Sequence, residues 1–377
     1  MRRLALGIVG LLVSSWAVGG VPNTVTFVPL NQPAAGAAPV SFAIGDFNGD
    51  GKLDLAVVDQ RSATLRVLLG TGNGYFEPWV DYEVGIGPVA VVTADFNRDG
   101  KLDLVVASRL SNTVELFLGN GNGTFRPFIT LPASGPTALA FGDFNADGNL
   151  DLAVTNSNSN TVSVFLGVGE GVLRPALNFY VGESPSSIAV ADFNGDGKLD
   201  LAVANLASNN VSILLGTGTG IFEPILNFGA GLNPAWIVLG DFNGDGRADL
   251  AVVNATGSKN TGFKTTVSVL LGNGNGTFES PRTSLAGTKA SFLISADLNG
   301  DGKLDLAVAD PGSNNIEILL GLGNGYFLTA INVAAGNGPA WIGAIEFAHA
   351  AVPDLIVANS LSDNLSVLSN LTAGNRK

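Results

Sequence analysis

A nine-residue stretch, DFNGDGKLD at residues 192–200, recurs through this 377-residue chain at a near-constant interval. Copies begin at Asp46, Asp95, Asp143, Asp192, Asp241 and Asp297, spaced 49, 48, 49, 49 and 56 residues apart. One more period lands on Glu346, where EFAHAAVPD is a worn seventh copy. A period of this length dictates a solenoid, propeller or array, whatever domain count the length alone suggests.

Each period reads as four short strands. In the fourth, residues 187–191 form apolar strand A, followed by the Asp-rich loop. Residues 199–204 form apolar strand B and residues 205–210 a polar turn. Residues 211–215 form strand C, a glycine turn (GTGTG) follows, and Phe222 opens strand D. Four strands per repeat, punctuated by turn residues, predict propeller blades. Phe-x-Pro opens strand D at Phe76, Phe125 and Phe222, 18 or 19 residues before the next loop, and Phe27-Val28-Pro29 stands 19 residues before Asp46. The chain ends after strand C of the seventh repeat. The N-terminal segment 24–30 is therefore expected to supply the missing outer strand, closing one all-β, seven-bladed propeller. The glycine turns resemble phosphate loops only superficially, because no helix follows them.

The loop chemistry points to a hard cation. In residues 192–200 the oxygens of Asp192, Asn194, Asp196 and Asp200 fall at positions 1, 3, 5 and 9, and the Lys198 carbonyl adds position 7. Calcium takes six to eight oxygen ligands, and Gly197 at position 6 permits the sharp turn. An EF-hand is excluded: position 12 is Val57, Val106, Val154, Val203, Val252 or Val308 where an acid is needed, and a strand follows instead of a helix. The lysine at position 7 is expected to point its side chain into water.

The DFNGDGKLDLAVAN block, with the LLGxGxGxF turn, resembles the FG-GAP repeats, also called VCBS-type repeats, of bacterial secreted proteins and of the integrin α-chain propeller. The resemblance spans about residues 23–370. It implies calcium on one face of the propeller, held by Asp46, Asn48, Asp50, Lys52 and Asp54 in the first loop and by Asp95, Asn97, Asp99, Lys101 and Asp103 in the second. The third would use Asp143, Asn145, Asp147, Asn149 and Asp151, and the fourth Asp192, Asn194, Asp196, Lys198 and Asp200. Asp241, Asn243, Asp245, Arg247 and Asp249 would serve the fifth, and Asp297, Asn299, Asp301, Lys303 and Asp305 the sixth. The seventh copy keeps only Asp354 of this set and is expected to bind none. Integrin-type adhesion does not carry over as a whole.

The net charge of −13 argues against nucleic acid and anionic membranes. It has a local cause, since the six loops hold 18 of the 32 acidic residues. Arg2 and Arg3, the apolar run 4–13 and the small residues Ala17-Val18-Gly19 read as a signal peptide over residues 1–19, with residues 20–377 as the single propeller. An uncleaved anchor is the alternative. A secreted or cell-envelope location, without a transmembrane segment after cleavage, and a monomeric state are expected.

Five residues before each loop the series is Ser41, Ala90, Ala138, Ser187, Trp236, Phe292 and Trp341. Strand B ends nearby at Asp59, Ser108, Asn156, Asn205, Asn254, Asp310 and Asn359. Aromatics beside amides suit a sugar, so Trp236, Phe292 and Trp341 are candidate ligand residues, against the simpler reading that they fill space between blades. The blade 5 insertion within 254–266 lies on the same face. The leading function is an extracellular binding or adhesion module for a glycan or a surface protein. A calcium-dependent, lyase-like enzyme and a cell-envelope scaffold are the competing classes. The enzyme has little sequence support, with His349 the single histidine and no cysteine.

Overall fold

Strand B carries the sequence LDLAVAN or a close variant, with no alternation of apolar and polar residues. An uninterrupted apolar run suits a strand covered on both faces. In every blade strand B is buried end to end, while outer strands such as Leu177–Tyr180 alternate half-buried and exposed. The structure is a computed structural model and describes residues 24–256, 264–347 and 352–372. Residues 1–19, expected from sequence to be a signal peptide, residues 257–263 of the blade 5 insertion and His349 lie outside the described residues.

The described residues form 28 strands in seven four-stranded antiparallel sheets and no helix. Blade 4 shows the pattern. Its strands are Pro185–Ala191, Asp200–Asn205, Asn210–Leu214 and Leu226–Gly229. Its register runs Ile188↔Val203, Val203↔Ser212 and Ser212↔Asn227. Strand D is less regular than the sequence suggests. The proline two residues after its opening aromatic has no N–H for the ladder. In blades 1 and 2 strand D stays continuous, Phe76–Glu83 and Phe125–Pro132, with a register shift beside the proline. In blade 4 the ladder lapses between a lone Gly216↔Phe222 bridge and Leu226.

The last blade holds Pro339–Ile345, Asp354–Asn359 and Asn364–Asn370, and its outer strand is the N-terminal Phe27–Asn31. Phe27 faces Asn370, Val28 faces Ser369 and Pro29 faces Leu368. The apolar core is divided among the blade interfaces. One cluster joins Ile345, Ile356 and Val367 of blade 7 to Phe42, Leu55 and Phe76 of blade 1. Each fully buried Leu, Ile or Phe contributes about 1.5–3 kcal/mol relative to exposure, so the ring rests on contacts between blades as well as on the ladders within them.

Candidate functional site

Two places on the propeller gather candidate functional side chains. They lie on opposite faces, one at the A–B loops and one where strand A begins.

The six intact A–B loops share one conformation. Positions 4 and 6 take positive φ in each: 76° and 81° at Gly195 and Gly197, 63° and 84° at Arg98 and Gly100. In blade 4, Asp192 Oδ1 accepts the amides of Gly195 and Asp196, and its Oδ2 accepts that of Gly197. Asn194 Oδ1 also accepts from Asp196 N, and Asp196 Oδ1 accepts from Lys198 N. The Lys198 ammonium folds back onto Asp196 at 3.0 Å, where the sequence suggests a lysine pointing into water. Lys52, Lys101 and Arg247 do the same to Asp50, Asp99 and Asp245. The ammonium and the position-7 amide hold Asp196 below the usual carboxylate range; for Asp50 and Asp245 the amide leads.

Position 9 is a different kind of residue. Asp200 is fully buried, and its Oδ2 accepts from Phe193 N (2.8 Å) while Oδ1 accepts from Gly216 N (2.6 Å). The same pair of bonds recurs at Asp54, Asp103, Asp151, Asp249 and Asp305. This carboxylate therefore ties the loop to the start of the glycine turn. Burial pushes Asp103, Asp151 and Asp249 up to about 6 and Asp305 up to about 7, against the pull of those amides.

As a calcium cradle the loops fit by donor type, all hard oxygens, and by a backbone conformation shared across six copies. Among the described residues no three acidic or histidine side chains converge on one point, and the carboxylates at positions 1, 5 and 9 each accept backbone amides.

Position 2 and the glycine turn explain the rest of the repeat. The loop phenylalanine of one blade meets the strand D aromatic of the next edge-on: Phe47 with Phe125 at 5.4 Å, Phe144 with Phe222 at 5.9 Å, Phe193 with Phe278 at 5.6 Å. Phe347 with Phe76, at 6.2 Å, repeats this from the last blade to the first. Glycine turns donate to the same loops, Gly220 N to Phe144 O and Gly276 N to Phe193 O, both 2.9 Å. A Cβ on Gly216 would stand 2.1 Å from the Leu199 carbonyl oxygen, which requires glycine there.

On the other face Trp236, Phe292 and Trp341 come together from three consecutive blades. Ring centroids are 4.1 Å apart for Phe292 and Trp341, which stack, and 4.8 Å for Trp236 with each of the others. Phe292 is buried, whereas Trp236 and Trp341 are half-buried. Blades 1 to 4 carry Ser41, Ala90, Ala138 and Ser187 at this position, all at most 2% exposed. The aromatics wall one side of a depression of about 380 Å³ at the mouth of the channel, and Val40, Val89, Arg109, Thr137 and Ser186 line the other. The Ser186 hydroxyl donates to Pro234 O (2.8 Å), leaving its lone pairs as acceptors, while the Thr137 hydroxyl donates to Pro185 O (2.7 Å) and takes the Thr155 hydroxyl at 2.8 Å, keeping one lone pair.

The strand B ends do not join this wall. Asp59, Asn156, Asn205, Asn254, Asp310 and Asn359 are buried inside the blades. Asn205 Nδ2 donates to Ser212 Oγ and Asn210 Oδ1, stitching strand B to strand C. Their burial leaves them no path to a ligand, which corrects the expectation from sequence. Arg109 was not singled out from sequence. Its signal is the residue just after strand B, where the other blades carry Gln60, Ser157, Leu206, Ala255, Pro311 and Ser360.

A ring of repeat blades with one decorated mouth defines a β-propeller of the repeat type. Residues 46–106, 95–154, 143–203, 192–252, 255–308 and 297–349 match the FG-GAP-like repeat model, and the chain belongs to that family. No curated protein sequence matches it. Solved propellers of similar fold include an Agrocybe aegerita lectin described as recognising non-reducing terminal N-acetylglucosamine, at 20% identity, TM-score 0.53, covering 82% of this chain and 80% of the lectin. BBS1N, solved in complex with ARL6DN, is 14% identical with TM-score 0.67, covering 93% and 99% of the two chains. Virginiamycin B lyase from Staphylococcus aureus is 12% identical with TM-score 0.58, covering 92% and 99%. At these identities the likeness is one of fold. No helix among the described residues is long and apolar enough to cross a membrane.

Proposed function

We propose that this protein is a secreted, calcium-stabilised binding module that takes a glycan at the mouth of its channel. The observation that carries the reading is the convergence of Trp236, Phe292 and Trp341 on one side of a depression whose other side offers hydroxyl acceptors and a guanidinium. A pyranose presents an apolar face for stacking and a rim of hydroxyls for hydrogen bonds. The depression lies within the roughly 300–1,000 Å³ of small-molecule sites. Bound calcium would supply positive charge among the clustered loop carboxylates on the opposite face, stiffening the blades without touching the ligand. The fold of the lectin is compatible with this use; so is a protein partner, the situation of BBS1N.

The test is a glycan array probed with residues 20–377, with calcium and with chelator. Binding that is lost in Trp236→Ala/Trp341→Ala supports the mouth as the site. Binding that survives the double variant overturns it. Turnover of a polysaccharide on the array would move the protein to the enzyme class.

A further inference from the structure

We infer that the saccharide taken at the mouth is acidic: a pyranose whose carboxylate or sulfate pairs with Arg109 while its apolar face lies on Trp236 and Trp341. This rests on the reading of the mouth as a glycan site and names the class of glycan.

The chain is strongly acidic, at −13, yet the described residues lining the mouth include one charged side chain, and it is a cation. Arg109 is held at its backbone, where its N–H donates to Gly87 O at 2.9 Å. Its guanidinium is exposed and donates to Ser157 Oγ at 3.3 Å, leaving most of its five N–H groups for a ligand. Among the described residues no carboxylate comes within salt-bridge distance of it. The contrast on the same face is Arg61, which Asp363 neutralises at 3.5 Å. A guanidinium fork matches a carboxylate or sulfate with two parallel hydrogen bonds. Facing it across the depression is the aromatic wall, so an anionic ring with one apolar face would satisfy both sides at once. A cationic sugar would meet repulsion, and a neutral one would forgo the charge-assisted bonds.

The experiment measures binding of trigalacturonate, its methyl ester and a sulfated trigalactoside to residues 20–377 at fixed calcium. Readouts are calorimetry and quenching of tryptophan fluorescence, since two of the four tryptophans are at the mouth. The expected result is that an anionic probe binds about tenfold or more tighter than the ester. That preference should vanish in Arg109→Gln, survive in part in Arg109→Lys, and weaken with salt. Arg109→Gln is exposed and should melt with the wild type, so lost preference would not reflect unfolding. Acid and ester bound alike, both quenching tryptophan, would overturn the inference and leave the mouth reading standing. A charge preference unchanged in Arg109→Gln also overturns it. No binding of any probe, acidic or neutral, overturns both. Carboxylate against sulfate is decided by which anionic probe binds.

Discussion

Asp354 stands in a loop that has lost its other ligand-type residues, yet its Oδ1 still accepts from Asn370 N at 2.7 Å, as Asp200 does from Gly216. Position 9 is kept where no cation is expected because its carboxylate closes the loop onto strand C. Asp200→Asn should therefore cost about 1–3 kcal/mol even in chelator, since an amide group would turn an N–H toward a backbone N–H. Asp196→Asn, on an exposed carboxylate, should stay within about 0.5 kcal/mol in chelator and blunt only the stabilisation by calcium. Thermal melts of both variants with and without calcium separate the two roles. Asp59 makes a second residue-scale case. Asp310, at the same place in blade 6, is pushed up by burial but held low overall by the amides of Thr288, Lys289 and Gly312 and the Ser313 hydroxyl. Asp59 has only a 3.4 Å contact from Thr64 and an Oδ1 without a partner, and burial pushes it up to about 7. A folded-state value above the unfolded one means the folded chain holds the extra proton between about pH 4 and 7. Its contribution is present below that window and is lost as pH rises through it. Asn fills this place in blades 3, 4, 5 and 7, so Asp59→Asn should stabilise the protein by on the order of 1–3 kcal/mol at pH 8 and by little at pH 4. A melting-temperature gap between variant and wild type that does not widen from pH 4 to 8 would contradict this.

At the scale of elements, the repeat unit read from sequence is not the packing unit. The loop phenylalanine of one blade needs the strand D aromatic of the next, and the glycine turn of the next donates to the loop carbonyl of the first. The Asp-rich loop and the glycine turn are thus two halves of a joint between blades. The strand Phe27–Asn31 is the one element that crosses the chain ends, pairing with Asn364–Asn370. Deleting residues 24–32 would leave that edge unpaired, and an open edge invites aggregation. The shortened chain is expected to melt well below the full one, and a peptide of residues 24–32 added in trans should restore much of the loss by strand addition. An unchanged melting curve would show that the pairing contributes little.

For the whole molecule, six loops of one conformation on one face mean that the calcium proposed for them would act on the ring collectively. A site saturated at 100 times its dissociation constant stabilises by about 2.7 kcal/mol, so chelation should lower the melting temperature steeply; no shift would remove calcium from the proposal. The period of 49 residues, the four strands of each blade and the aromatic series at Trp236, Phe292 and Trp341 were all legible in the sequence, because a repeated unit states its local chemistry over and over. Even the outer strand of the last blade was legible, since Phe27-Val28-Pro29 copies the strand D opening seen elsewhere. The ties between Asp200 and Gly216, and between Phe144 and Phe222, were not, because each joins residues set together only when strands pair or blades dock. The strand B ends looked available for a ligand and are buried, since the strand C serines and asparagines claim their amides first. Arg109 gained meaning only once the ring set blade 2 across the mouth from blades 5 to 7. Sequence determined what each blade is, through patterns that act over a few residues. Closing seven blades about an axis decided that side chains as distant in the chain as Arg109 and Trp341 share a site.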